Sequence, residues 1–134
     1  MDKAQQYLCL ARKAGFLSVG EENCSAVTES GRARLLLLAG DTAPNTARRA
    51  ENSLAGHRAP LMTLPWTKAE LSALLGKAGC SVVCFTDLAL AGRFASAMAE
   101  ELPEWQETAE LLARRADKAR KRKAAPRNHE NRWK

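Results

Sequence analysis

A phosphate-binding loop is the first chemistry that the residue types suggest. Gly15 and Gly20 enclose four residues, which is the spacing found at the start of a P-loop. The Gly-Lys-Ser/Thr that must follow is replaced by Glu21 and Glu22, and two carboxylates there would repel a phosphate. The sequence contains no GxGxxG, GxSxG or HExxH pattern either. No catalytic motif of these kinds is therefore present.

Two carboxylates and four cysteines are the remaining candidates for catalysis or metal binding. Asp41 and Asp87 each follow an apolar strand, where α/β enzymes often place catalytic groups, but such a carboxylate more often caps the next helix or turn. The cysteines lie within apolar patterns, and Cys80 and Cys84 are too far apart for a CxxC pair. We therefore expect no enzyme activity, no cofactor, no metal site, and free thiols in a reducing cytosol.

Positive charge is concentrated at the C-terminus. Residues 114–134 contain ten basic and two acidic residues, a net charge of +8, whereas residues 1–113 carry a net charge of −2. A near-neutral body with a basic arm is typical of proteins that contact phosphate, in nucleic acid or at an anionic membrane. Because the apolar content of the arm falls where its charge rises, nucleic acid is favoured over membrane. The arm offers Arg114, Arg115, Lys118, Arg120, Lys121, Arg122 and Lys123, then Arg127, Arg132 and Lys134.

No segment has the properties of a membrane span or a secretory signal. The longest strongly apolar run, Leu35–Ala39, is far shorter than the roughly 20 residues that a membrane helix needs. The first twenty residues contain no continuous apolar segment. We therefore expect a cytoplasmic protein that does not bind membranes.

Apolar periodicity and glycine breaks predict helices that alternate with short strands. Helices are expected over 4–13, 21–30, 44–55, 68–75 and 88–102, and strands over 16–19, 35–39, 60–64 and 81–85. Capping signals support the boundaries, since Pro44 suits a first helical position and Thr67 with Glu70 forms a capping box. The alternation predicts an α/β fold arranged as a three-layer α/β/α sandwich.

A last helix is expected from Pro103 into the basic arm. Its apolar face is formed by Trp105, Ala109, Leu112 and Ala116. That face fades as the chain becomes basic, and residues 124–134 have the composition of a segment that is disordered when free. Trp133 could stack on an unpaired base or fold back as a hydrophobic anchor. We therefore divide the chain into a domain over 1–102 and a C-terminal helix with a basic arm over 103–134.

A series of motifs within residues 6–98 resembles one known family. The series comprises Leu10–Gly15, Gly20–Glu22, Gly31–Ala39, Asp41, Asn45–Thr46, Thr67–Leu71, Leu75–Lys77 and Val82–Asp87. It resembles the kink-turn-binding ribosomal-protein superfamily (ribosomal protein L-seven-Ae and its relatives), and within it the bacterial YlxQ-like branch. The resemblance implies that the α/β/α sandwich contains a four-stranded mixed sheet.

The resemblance also implies an RNA-binding site. Members of the family contact sharply bent RNA with the start of their second helix and a nearby loop. The helix start corresponds to Gly20, Glu21, Glu22 and Asn23, where Glu22–Asn23 is the family's Asn-Glu pair in reversed order, and the loop corresponds to Lys77, Ala78 and Gly79. The family's basic positions fall on Phe16, Ser18, Val19 and Ala26. Arg12, Lys13 and Lys77 are the nearby residues expected to replace part of the missing positive charge.

The hypothesis that follows is a monomeric, non-catalytic RNA-binding protein with a ribosome- or translation-associated role, whose partners are structured RNA and the ribosome. An alternative is a protein-interaction scaffold of the same fold that contacts RNA non-specifically through the basic arm alone. The missing basic positions favour that alternative. A third hypothesis, the substrate-binding part of an RNA methyltransferase, would require a catalytic domain and a cofactor.

Overall fold

The computed structural model describes residues 1–124, so the predictions for Arg127, Arg132, Trp133 and Lys134 lie outside the described residues. The helices of this part of the chain are α1 (Asp2–Ala14), α2 (Glu21–Glu29), α3 (Pro44–Ser53), α4 (Lys68–Leu75), α5 (Leu88–Ala99) and α6 (Gln106–Ala124). The strands are β1 (Leu17–Val19), β2 (Leu35–Leu38), β3 (Leu61–Thr63) and β4 (Val82–Phe85). No helix within 1–124 combines the length and the apolarity that crossing a membrane requires.

The four strands form one mixed sheet in the order β1-β4-β2-β3. β4 is antiparallel to both of its neighbours, so that Phe85 lies opposite Leu17 on one side and Leu35 on the other. β2 and β3 are parallel, with Leu36 opposite Leu61. The two central strands are buried along their whole length, as expected for continuous apolar runs. The predicted mixed α/β fold with a four-stranded mixed sheet is confirmed.

Each face of the sheet contributes to a separate hydrophobic cluster. Successive side chains of a strand point to opposite faces, so Leu35 and Leu37 belong to one cluster, and Leu36 and Leu38 to the other. The first cluster contains residues of α1, α4, α5 and α6, and the second contains residues of α2 and α3. The two faces of the sheet are therefore packed against different helices.

An aromatic group around Phe94 joins α5 and α6 to the sheet. The ring of Phe94 lies 5.2 Å from Phe85, 5.7 Å from Trp105 and 6.4 Å from Trp66, measured between ring centroids. Both tryptophans are buried. Both therefore contribute to the packing of the first cluster. Because Trp105 and Leu112 belong to the same cluster as β4, the first half of α6 is part of the core.

Several predicted boundaries differ from those of the structure. Pro103–Trp105 form a short 3-10 turn, and α6 starts only at Gln106. α5 ends at Ala99 and not at Leu102. Leu102 is extended, with φ −125°, because the residue before a proline is disfavoured in the helical conformation. Leu10, on α1, is 50% exposed. The buried face of α1 is formed by Ala4, Leu8 and Ala11, and helical periodicity turns Leu10 away from it.

The two strand-end carboxylates both cap helices. Asp87 Oδ2 accepts a hydrogen bond from the Leu90 amide at 2.9 Å, which caps α5 as expected. Asp41 Oδ1 accepts from the Lys68 amide at 2.7 Å. Asp41 therefore serves the start of α4 and not the helix that follows it in the chain. At the same helix start, Thr67 and Glu70 form the predicted capping box.

Candidate nucleic-acid interface

The backbone of Gly20 holds the start of α2 at one end of the sheet, where β1 ends and β4 begins. Its amide donates to the Val82 carbonyl at 2.9 Å, and its own carbonyl accepts from the Cys24 amide at 3.0 Å. The amides of the first helical turn have no carbonyl partners within their own helix and point away from it. A Cβ built on Gly20 would have no atom within 4 Å. The space in front of this helix start is therefore open.

Glu22 and Asn23, the pair with which the resemblance equates the family's RNA-contacting residues, are both exposed. Asn23 Nδ2 donates to the carbonyl oxygen of Val19 at 3.0 Å. This bond holds the amide against the end of β1. Glu22 makes no ion pair within residues 1–124. The pair thus offers hydrogen-bond acceptors to a ligand at the helix start.

Glu21 is neutralised by a residue of α3. Its carboxylate forms an ion pair with the Arg49 guanidinium, in which Nη2 donates to Oε1 at 3.1 Å and Nε donates to Oε2. The hydrogen bond from Arg49 and its charge lower the pKa of Glu21. The two residues are 28 positions apart, so no local spacing in the sequence indicates their pairing.

The Lys77–Gly79 loop lies beside the start of α2. Its three residues are exposed, and the Ser72 hydroxyl anchors the loop by accepting from the Cys80 amide at 3.0 Å. The loop leads directly into β4, whose first residue accepts the hydrogen bond from Gly20. Burial raises the pKa of the Cys24 thiol, and the Lys77 charge opposes that rise, which reflects the proximity of the loop to α2.

The predicted basic residues divide between several surfaces. Burial raises the pKa of Cys80, which follows the loop, and the positive charges of Arg12 and Lys77 oppose this rise. Lys13 is exposed on α1, where it lines a shallow depression with Leu10 and Leu74. The described residues of the basic arm lie on α6, away from the α2 start. Arg114, Lys118, Arg120, Lys121, Arg122 and Lys123 are exposed there, and Arg115 is half-buried.

The positions that are basic in the family provide no positive charge here. Phe16 is 42% exposed, and it is one of two large hydrophobic side chains with high exposure among residues 1–124. Val19 is buried in the core, Ser18 is half-buried, and Ala26 is exposed. The surface around the α2 start is therefore less basic than the resemblance implies. Phe16 lies at the other end of β1, where its carbonyl accepts from the Thr86 amide at 2.9 Å.

The cysteines have the environment of structural thiols. All four are free, and Cys24, Cys80 and Cys84 are buried. Burial raises the pKa of Cys84 to about 11, so this thiol is protonated near neutral pH and is a poor nucleophile. Within residues 1–124, no group of three or more His, Cys, Asp or Glu side chains is placed to hold a metal ion.

Comparison with known proteins extends the description of the fold. No family model matches the sequence, and no curated protein matches it. Among solved structures, a protein of unknown function from Bacillus halodurans is similar, with a TM-score of 0.65 and 22% sequence identity. The match covers 72% of this chain and 96% of that chain. At this identity, the likeness shows a shared fold alone.

The Glu21–Arg49 pair predicts a measurable titration. We expect the Glu21 carboxyl to titrate below its ordinary range in the native protein, because the Arg49 side chain favours the charged carboxylate. The pair therefore contributes stability above the ordinary pKa of glutamate, and this contribution is lost as the pH falls through the lowered pKa. Carboxyl ¹³C NMR should show the Glu21 pKa rising in Arg49→Gln. The neighbouring variant Arg48→Gln should leave the pKa in place, and equal titration curves in the three proteins would rule out the ion pair in solution.

Proposed function

We propose that this protein is a cytoplasmic, non-catalytic RNA-binding protein of the kink-turn-binding ribosomal-protein superfamily, in its YlxQ-like branch, acting as a monomer. Its RNA would be a sharply bent, kink-turn-like structure in a ribosome- or translation-associated complex. One observation carries the proposal. The exposed residues at the start of α2 and the exposed Lys77–Gly79 loop, which are far apart in the sequence, lie at the same end of the sheet, which we call the α2 edge.

In the proposed complex, the two parts of this edge have different roles. The Glu22 carboxylate accepts hydrogen bonds from the N–H groups of a guanine edge, and the Asn23 amide has both donors and an acceptor. The outward-pointing amides of the first turn of α2 donate to a phosphate. Arg49 removes the repulsion that Glu21 would otherwise exert on that phosphate. Lys77 and Arg12 add the positive charge that phosphate neutralisation requires.

The basic part of α6 would add affinity without sequence preference. Its described cations are mostly exposed, and only Arg120 and Lys121 form ion pairs within residues 1–124, both with Asp117. Contacts between such cations and phosphate release counterions, so the affinity falls steeply with salt. Specificity in this proposal comes from the α2 edge, and much of the total affinity comes from α6.

The proposal is tested with two labelled RNAs of equal length, a kink-turn and a straight duplex, titrated with the full chain by fluorescence anisotropy. We expect a preference for the kink-turn of about tenfold, as one well-placed set of base contacts provides. Glu22→Ala/Asn23→Ala should abolish this preference. Glu51→Ala/Asn52→Ala is the matched control, because these exposed residues have the same types in the same order on α3. Unchanged preference in the first variant would show that the α2 edge does not bind the RNA.

Two exposed hydrophobic side chains, one on α1 and one just after it, favour a second candidate function. Phe16 and Leu10 are 42% and 50% exposed, and such apolar groups suit a protein partner better than a phosphate backbone. In this case the fold is a scaffold, and RNA is bound by the arm alone. The same titration distinguishes the two functions. The scaffold predicts equal, strongly salt-dependent binding of both RNAs, which weakens when Lys121, Arg122 and Lys123 are replaced by glutamine.

A further inference from the structure

A large groove lies at the end of the sheet opposite the α2 start. β4 begins at Val82, beside Gly20, and ends at Phe85, whose carbonyl accepts from the Arg34 amide at 2.8 Å. The groove is at this second end, bounded by the end of α2, the segment before β3, the segment after β4, and one side of α6. α2 separates the two ends by its own length, about 13 Å for nine residues. The groove has a volume of about 750 Å³.

The groove is lined by cations from three separate parts of the chain. Arg34 comes from the start of β2, Arg58 from the segment before β3, and Arg115, Lys118 and Arg122 from α6. We call these five residues and the space between them the basic groove. None of the five forms an ion pair within residues 1–124. Arg115, Lys118 and Arg122 have the i, i+3, i+7 spacing of one helix face, whereas Arg34 and Arg58 are brought to that face from distant segments.

The carboxylates near the basic groove form their hydrogen bonds and ion pairs with groups other than its five cations. Asp87 is the acidic residue in its lining, and its Oδ2 accepts the hydrogen bond that caps α5. Asp117, on α6, pairs with Arg120 and Lys121. The helix dipole accounts for basic residues in the last turn of α6. It does not account for Arg115, which lies more than two turns before the end of the helix.

Among the five cations, Arg115 is distinguished by a buried hydrogen-bond donor that has no partner in the described part of the chain. Its Nη1 donates to the Arg58 carbonyl at 2.9 Å, whereas its Nε is buried and has no hydrogen-bond partner among the described residues. Burial lowers the pKa of Arg115, and so do the positive charges of Arg58 and Arg114. An anion in the groove would compensate the neighbouring like charges of Arg58, Arg114 and Arg115.

We propose that the basic groove is a phosphate-binding site. Its ligand is a compound with several phosphate groups, and the volume accommodates a nucleotide or a short stretch of RNA backbone. Because the groove is at the opposite end of the sheet from the α2 edge, it is a separate site, but its α6 cations are among those that the proposed function assigns to RNA phosphate, and in that respect it rests on the proposed function. Two sources of phosphate fit the same chemistry: the backbone of an RNA chain, or a free polyphosphate.

The test compares two double variants of the full chain with equal changes in net charge. Arg34→Gln/Arg58→Gln removes two exposed cations of the groove, and Arg48→Gln/Arg93→Gln removes two exposed cations that do not line it. The probes are inorganic triphosphate, followed by calorimetry, and a labelled single-stranded RNA without a kink-turn, followed by anisotropy. Circular dichroism establishes that both variants retain the native fold.

We expect the groove variant to bind at least one probe about tenfold more weakly than the native protein, and the control variant to change by less than about twofold. Loss for RNA alone assigns the groove to nucleic-acid backbone, and loss for triphosphate assigns it to a free phosphate compound. In the native protein, the bound probe should also shift the Nε–H resonance of Arg115 in ¹⁵N NMR. Equal weakening in both variants, an unchanged affinity in the groove variant, or no saturable binding of either probe would overturn the proposal.

Discussion

Replacing Phe94 with alanine is expected to lower the free energy of unfolding by about 3–5 kcal/mol. Phe94 is fully buried, and its ring contacts three other aromatic rings, from β4, from the segment after β3 and from the turn before α6. Alanine would remove all three contacts and leave a cavity that the surrounding strands and helices cannot fully close. Urea denaturation followed by tryptophan fluorescence measures the change directly.

Phe16→Ala is the matched control for this substitution. The same ring is removed, but Phe16 is 42% exposed and belongs to neither hydrophobic cluster. We expect its effect on the free energy of unfolding to stay within about 1 kcal/mol. If Phe94→Ala were no more destabilising than Phe16→Ala, the aromatic group would not be the centre of the core.

The central strands are the part of the fold that the sequence predicts best. Leu35–Leu38 and Val82–Phe85 are continuous apolar runs, and a strand covered on both faces requires that pattern. The order of the strands in the sheet cannot be predicted in the same way. Leu36 pairs with Cys84 on one side and Leu61 on the other, and periodicity within a strand carries no information about such partners. The mixed sheet was expected only through the family resemblance.

Local sequence patterns do not reveal hydrogen bonds and ion pairs between side chains that are far apart in the sequence. Asp41 was expected to cap the helix or turn that follows it, but the topology brings the start of α4 closer, and Asp41 accepts from the Lys68 amide. Arg49 likewise reaches Glu21 because α2 and α3 pack on the same face of the sheet. Both pairings depend on tertiary contact. The residue types alone indicate only that each group needs a partner.

Of the candidate phosphate-contacting surfaces, too, the sequence indicated one part and missed another. Family resemblance indicated both the α2 start and the Lys77–Gly79 loop, and the fold brings them to one edge of the sheet. The basic groove was not expected, because the α6 residues were interpreted only as a linear basic arm. Arg34 and Arg58 complete the groove from segments that carry no unusual charge pattern of their own. A sequence-based search for runs of basic residues cannot find a cluster that the fold assembles.

Gly20→Asn is expected to destabilise the protein by about 1–3 kcal/mol, although Asn is among the best residues at a helix N-cap. An N-cap Asn helps when its backbone is extended with negative φ. Gly20 has φ 98° and ψ 151°, a conformation that is essentially restricted to glycine. Because a Cβ there would meet no atom within 4 Å, the effect comes from the backbone and not from a clash. Urea denaturation measures it.

Gly15→Asn separates this effect from a general intolerance of side chains at glycine. Gly15 also has positive φ and open space around it, but its φ of 81° and ψ of 18° lie in the left-handed helical region that Asn tolerates. We expect its destabilisation to stay below about 1 kcal/mol. The two variants should also differ in RNA binding, because strain at Gly20 displaces the amides at the start of α2, whereas Gly15 lies at the end of α1. A Gly20→Asn protein as stable as the native one would show that this helix start does not require the observed backbone conformation, and the proposed contact between its amides and RNA would lose its geometric basis.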